Sequence, residues 1–400
     1  GGVRVDDLVA QFGTPLFVYD EDHIRRRCQE AVKAFPDGVS YASKAFLCKA
    51  IAKLVHEEGM GLDVATIGEA YIALQSGVPA SDLTLHGNNK SMEELRYAVD
   101  NGIGKVVIDS FDEIDKIEHL YATTKTPIKA LVRVTPGVEA YTHKYVTTGQ
   151  VDSKFGFTVQ NGQAGKAIER ARSSGAIDLI GLHAHIGSQI FTSDSFRKST
   201  DILVKLAEHF GLPELCVGGG LGVPYLNDES SIPISEWGAI VHDISSSSSA
   251  TLKITSEPGR SIVASSAVTI YTVGTIKEIE GVRTYVAVDG GMHDNPRPAL
   301  YGSDYETFLA RSINEPRKQK ITLVGKHCES GDVLVKEGDI QDDLVVGDLL
   351  VTPVTGAYGH SMGSNYNKVL RPAVVFVQGG KSRLVLRREE LSDLLNSDVT

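Results

Sequence analysis

Cysteine is scarce in this chain. Cys28, Cys48, Cys216 and Cys328 are the only four in 400 residues, and no pair stands at metal-ligand spacing. That excludes a disulfide-dense scaffold or a zinc ribbon and suits a reducing cytoplasm. Basic charge is short as well: 40 Lys and Arg stand against 51 Asp and Glu, a net charge of −11. Binding to nucleic acid through phosphate contacts is disfavoured. No uncharged apolar run reaches the roughly 18–20 residues that cross a bilayer, so no membrane span is expected. The opening Gly1-Gly2-Val3-Arg4 does not read as a basic-then-apolar signal peptide. What is present is ordinary for a globular protein: 42% apolar residues, 23% charged, 40 Gly and 14 Pro. The length suits two domains or one large one. An intracellular enzyme is the leading class.

Short apolar, β-branched runs alternate with segments of helical period. Strands are expected over 39–44, 61–64, 83–86, 105–109, 128–134, 179–186, 215–217 and 252–255. Helices are expected over 46–58, 69–75, from Ser91 onward, and over 112–121, 164–173, 195–210 and 235–245. Ser91 and Glu94 have the spacing of a capping box. Such alternation implies a parallel sheet with right-handed crossovers. Eight units in about 250 residues are what closes a TIM barrel, with an open doubly wound sheet as the competitor. A Gly-, Thr- and Tyr-rich stretch over 141–153 is a candidate lid.

After Arg260 the texture changes. Strand-like runs over 268–279, 282–289, 320–327, 348–353 and 373–386 are separated by Gly, Asp, Asn and Pro turns. The expected architecture is α/β plus all-β: a (β/α)8 barrel over 24–265, and a mostly antiparallel β domain over 266–400 joined by 1–23. Leu16 to Tyr19 would supply an early strand to that β domain.

Reactive groups of a TIM barrel sit where its strands end. Those positions hold Lys44, Asp63, His86, Arg133, His185, the turn Gly218-Gly219-Gly220, and Glu257 with Arg260. A lysine, a carboxylate, a glycine-rich turn and an imidazole at one mouth form a set suited to pyridoxal phosphate. The Lys44 amine can bond an aldehyde cofactor; alone it would be a solvated strand-end lysine. Gly218 to Gly220 can cradle an anion through backbone N–H groups or form a plain tight turn, and they do not match the G-x-G-x-x-G dinucleotide fingerprint. Glu257 can pair with a pyridinium nitrogen or with Arg260. Asp63 can support the ring, support a neighbouring histidine, or cap the next helix. His185 can stack on a ring and Ser188 can reach a phosphate. His183 shares the strand face of His185, a conceivable metal pair, although the spacing shows no carboxylate to complete it and no metal is expected. Downstream, Asn295-Pro296-Arg297-Pro298-Ala299-Leu300-Tyr301 pairs a guanidinium suited to a carboxylate with a tyrosine. Cys328-Glu329-Ser330-Gly331-Asp332 joins a thiol to two acids.

Six stretches in order, Tyr41 to Lys44, His185 to Ser188, Glu257 to Arg260, Asn295 to Tyr301, Cys328 to Asp332 and Ser364 to Asn367, carry a resemblance. The chain resembles the pyridoxal-phosphate-dependent decarboxylases of fold type III, and within them the branch acting on diaminopimelate. The resemblance implies a cytoplasmic homodimer with shared active sites. It implies Lys44, His185 and Cys328 as catalytic residues. Asp63, His185, Ser188, Gly218, Gly219, Gly220, Glu257, Gly259, Arg260 and Tyr358 would hold the cofactor with Lys44. Arg260, Arg297, Tyr301, Glu329 and Tyr358 would bind a small amino-acid substrate, with Cys328 and Glu329 of the partner subunit completing the site. The implied reaction is decarboxylation of meso-2,6-diaminopimelate to L-lysine, the last step of lysine biosynthesis. The alternative is a related decarboxylase for ornithine, arginine, carboxynorspermidine or a carrier-bound amino acid. One departure is Val64-Ala65-Thr66-Ile67-Gly68-Glu69, where the family usually has a Ser-Gly-Gly-Glu type turn.

Overall fold

A computed structural model describes residues 1–138 and 152–399. Of the candidate lid, only Asp152 and Ser153 fall within the described residues. The chain divides into two compact units: Arg25–Val223 with Ser230–Ser261, and Gly1–Ile24 with Pro224–Glu229 and Ile262–Thr400.

The first unit is a parallel barrel. Its strands are Ser40–Ala42, Gly61–Val64, Leu83–Leu85, Lys105–Ile108, Ile128–Thr135, Ile177–His183, Glu214–Cys216 and Lys253–Thr255, paired in chain order. A parallel bridge between Val39 and Ser256 joins the eighth strand to the first, with Ser40 N donating to Ser256 O at 2.9 Å and Ala42 N to Pro258 O at 3.2 Å. That bridge decides against the open sheet. Most strands are shorter than their apolar runs suggest. The ladder stops where the chain turns into the mouth, so Lys44, His86, His185 and Glu257 stand just beyond the last paired residue.

Local chemistry explains the helices. Ser91 and Glu94 do form a reciprocal capping box ahead of Met92–Asn101. Thr66 caps Ile67–Leu74, accepting from Glu69 N, while Glu69 Oε2 accepts from Ala65 N at 2.6 Å. Ile67, in the unusual turn, is therefore a first helical residue, where no glycine is required. The helices Val5–Phe12 and Glu21–Ala34 are not signalled by the sequence pattern, because their apolar positions are diluted by charge; nor are the short helices Arg260–Val263 and Arg297–Tyr301.

The second unit holds a nine-stranded sheet whose main path runs Val333–Ile340, Gln319–Val324, Arg283–Val288, Ala267–Ile279, Leu16–Asp20, Ala373–Gln378, Lys381–Leu386. Leu349–Pro353 pairs with Ala267–Ile279 and with Phe308–Leu309. Most pairings are antiparallel, but Leu16–Asp20 runs parallel to Ala373–Gln378 and Arg283–Val288 parallel to Gln319–Val324. Leu16, Val18, Ile270, Val351, Val375 and Val377 form the core of this sheet. The run over 373–386 is two strands: Gly379 and Gly380, at φ 54° and 75°, make the reversal that only glycine adopts freely.

Candidate active site

Lys44 sits in the single turn Ser43–Ala45 that ends the first barrel strand. Tyr41, Ala42, Ser43, Ala45 and Phe46 are buried around it, while Lys44 itself is exposed. The Tyr41 hydroxyl ties the turn by donating to Phe46 O at 2.8 Å. Gly259 lets the end of the eighth strand approach this turn: a Cβ there would lie 2.9 Å from Ala42 Cβ and 3.2 Å from Ala45 Cβ.

Glu257 is buried, 8% exposed, and both of its oxygens are gripped. Oε1 lies 3.0 Å from His86 Nε2 and Oε2 lies 2.9 Å from His183 Nε2. The two imidazoles meet edge to face with centroids 4.9 Å apart. Asp63 Oδ1 stands 3.6 Å from the same His86 Nε2, beside that histidine, and the next helix is capped by Thr66. Burial works to raise the Glu257 pKa, yet the two histidines outweigh it and hold the carboxyl well below its usual range. Burial alone would lower His86, but Asp63 and Glu257 raise it. His183 is pushed down to about 4, chiefly by burial. Asp63 is raised, burial again leading.

The expectation that no carboxylate completes a set with His183 is corrected: ligand atoms of His86, His183 and Glu257 lie within 4.8 Å of one another. Sequence spacing could not show this, because 74 residues separate His183 from Glu257 and they meet only where the sixth and eighth strands flank the seventh. His86 and Arg133 were visible only as strand ends. Arg133 pairs with Asp109 at 3.3 Å and lies 4.3 Å over the Phe155 ring.

The seventh strand leads into Gly218, Gly219 and Gly220. Gly220 has φ 109°, and a Cβ would run into the Gly187 carbonyl, so the turn can pack only as glycine. Gly219 N donates to His185 Nδ1 at 3.3 Å. Burial, then the cations of Lys44 and Arg133, keep His185 well below its usual pKa, so it presents a neutral ring. Ser188 Oγ accepts from Arg260 Nε at 3.3 Å and from its Nη2 at 3.1 Å. Arg260 thus turns to Ser188 and not to Glu257, the partner that spacing had offered. Because Ser188 accepts these bonds, its own hydroxyl proton remains to be donated.

The second unit holds the remaining candidates. Arg297 and Tyr301 open and close the short helix Arg297–Tyr301, and Tyr225 and Tyr305 pack around the guanidinium. Arg297 Nη1 donates to Tyr305 OH at 2.5 Å and the guanidinium carbon lies 4.2 Å over the Tyr225 ring. Arg297 Nε is buried with no hydrogen-bond partner. Cys328 and Glu329 are exposed, and Glu329 and Asp332 line a cleft of about 620 Å³. Asp332 accepts from Met292 N at 2.6 Å and His327 N at 2.9 Å, tying the loop before Arg297 to the loop of Cys328. Tyr358 has φ 60°, uncommon for a residue with a side chain.

Residues 21–264 match the family model described as the pyridoxal binding domain of pyridoxal-dependent decarboxylases. The chain is 45% identical to the diaminopimelate decarboxylase of Bacillus subtilis, over all of this chain and 94% of that one. Its fold matches a diaminopimelate decarboxylase from M. jannaschii in complex with L-lysine, at TM-score 0.92 and 31% identity, covering 98% of this chain and 94% of that one. A lysine/ornithine decarboxylase from Vibrio vulnificus complexed with putrescine aligns at TM-score 0.80 and 25% identity, covering 94% and 97%.

Proposed function

The chain belongs to the pyridoxal-dependent decarboxylases and, among them, to the diaminopimelate decarboxylase family, and on that premise we propose how its residues convert meso-2,6-diaminopimelate to L-lysine and carbon dioxide. The observation that carries the reading is the barrel mouth itself, where an exposed lysine, a doubly gripped buried carboxylate, a neutral imidazole and an all-glycine turn belong to one unit.

These residues fit pyridoxal phosphate. Lys44 offers an amine for its aldehyde, and Ser188 and the glycine turn offer donors for its phosphate. His185 offers a flat neutral face, and Glu257 an anion for its ring nitrogen. When bound, the cofactor supplies a ring that accepts the electron pair left by a departing carboxylate. Glu257 keeps positive charge at the ring nitrogen. Arg260, Asp63, Gly259 and Tyr358 belong to the same cofactor set. Arg297, Tyr301 and Arg260 bind the distal carboxylate of the substrate and Glu329 its distal ammonium, so that the two ends, which differ only in hand, are told apart. Cys328 Sγ returns a proton to the α-carbon.

We assign the cofactor-binding barrel to 24–265 and the β domain to 1–23 and 266–400. Exposure of Cys328 and Glu329 favours a homodimer in which Cys328 and Glu329 of the partner subunit complete each site. Four free cysteines favour a reducing cytoplasm. Among the described residues no helix is long and apolar enough to cross a membrane.

The deciding experiment incubates the protein with meso-, LL- and DD-diaminopimelate, with and without added pyridoxal phosphate, and identifies the products. Lysine and carbon dioxide from the meso isomer alone are expected. Faster release of carbon dioxide from ornithine, arginine or carboxynorspermidine overturns the substrate assignment.

A further inference from the structure

Neither His86 nor His183 is assigned a contact with cofactor or substrate, and we propose that both are positioning residues that lock the orientation of the Glu257 carboxylate toward the cofactor ring. The proposal rests on the reading above that Glu257 serves the ring nitrogen.

The geometry is specific. An ionised carboxylate has about four lone-pair sites and can only accept. One ring takes a lone pair on Oε1 at 3.0 Å and the other takes one on Oε2 at 2.9 Å, so rotation of the carboxylate breaks both bonds together. Two acceptor positions remain for a third donor. His183 is 1% exposed, and its Nδ1 is buried with no hydrogen-bond partner. A proton on that nitrogen would be a buried unsatisfied donor, which is costly. The single proton of a neutral ring therefore belongs on Nε2, facing Glu257. His86 reaches Glu257 from the next side, and Asp63 Oδ1, 3.6 Å from the same Nε2, adds negative charge that keeps that nitrogen a donor. The two rings come from opposite parts of the barrel, His86 after the third strand and His183 at the end of the sixth. The grip is thus built by closure of the sheet. A purely structural reading, in which the histidines only neutralise a buried acid, predicts no link between them and the cofactor.

The test has two parts. Long-range proton–nitrogen NMR of histidine-labelled protein, assigned among the 12 histidines with His→Gln variants, reads the protonation of each ring. The expectation is an Nε2–H tautomer for His183, and a change in both His86 and His183 signals in Glu257→Gln. A proton on Nδ1 of His183, or signals indifferent to Glu257→Gln, overturns the proposal even if no other variant folds. The second part compares Gln, which keeps a donor near the Nε2 position, with Leu, which removes it, at both histidines. Cofactor affinity and the absorption maximum of the loaded protein are the readouts. His86→Leu and His183→Leu are expected to weaken cofactor binding at least tenfold and shift the absorption as Glu257→Gln does, and the Gln variants are expected to restore both. If Glu257→Gln changes affinity and absorption but the Leu variants do not, the positioning role is wrong while the reading of Glu257 stands. If Glu257→Gln itself changes neither, that reading falls first and this proposal with it.

Discussion

Glu257 in the barrel unit and Asp294 in the β unit are both buried acids with hydrogen-bond donors on their oxygens, yet their surroundings drive them in opposite directions. Glu257 faces His86, which Asp63 and Glu257 push toward its charged form, and the Nε2 of His183; together they outweigh the cost of burial, so the acid stays ionised. Asp294 accepts from the Tyr271 hydroxyl at 2.6 Å and from Gly291 N at 3.0 Å. Those neutral donors do not offset burial, and its pKa rises to about 7. Burial alone does not decide the state of an acid; the charge of its partners does. The barrel unit therefore carries fixed charge where a cofactor can use it. In the β unit Glu329 is exposed, while Asp294 is buried among neutral donors.

The sharpest test of this division is Lys44→Ala. It is expected to abolish turnover together with the absorbance of the lysine-bound cofactor, and measurable decarboxylation by that variant would break the barrel assignment. The β unit is probed by Cys328→Ala, for which kcat should fall about 10²–10⁴-fold, the range of a lost proton donor, with substrate KM nearly unchanged. Mixing the two inactive variants sharpens the comparison further. In a mixed dimer one site carries both lesions and the other carries neither. Random reassociation should then restore up to about a quarter of wild-type activity if the partner completes each site, and none if it does not.

The barrel was legible because its signals are local: β-branched runs, the Ser91 capping box and residues such as Lys44 placed where a strand must stop. What stayed hidden were the relations made only in three dimensions. No spacing rule connects His86 with Glu257 across 171 residues, or Arg297 with Tyr225 and Tyr305. In the β unit the strand Val333–Ile340 went unread because Lys336, Glu337 and Asp339 interrupt its apolar pattern, their side chains being exposed.

The two acids also predict opposite pH dependences of stability. Asp294 has a folded pKa of about 7 against a reference of 3.8. Its proton is retained in the folded state and lost in the unfolded one between those values. Stability from this group is therefore fully present below pH 4 and lost as pH rises toward 7. Glu257 is lowered from 4.5, so its contribution is present above that pH and is lost as pH falls below it. The unfolding free energies of wild type and Asp294→Asn, from urea titrations, should differ by an amount that changes by a few kcal/mol between pH 5 and pH 8. A difference that stays constant across that range would remove the contrast between the units.

The smallest effects separate a tie beside the chemistry from a tie far from it. Asp332→Asn keeps shape but turns one accepting oxygen into a donor, leaving either Met292 N or His327 N unsatisfied. Stability should fall by about 1–3 kcal/mol. His327 precedes Cys328 directly, so kcat should fall severalfold too, with cofactor absorption unchanged. Ser91→Ala removes a capping box in the barrel unit and should cost about 1 kcal/mol with kcat intact. If both variants lower stability and neither alters kcat, Asp332 merely holds the β unit together. If Asp332→Asn lowers kcat alone of the two, the precision of the Cys328 loop comes from one carboxylate holding two backbone amides.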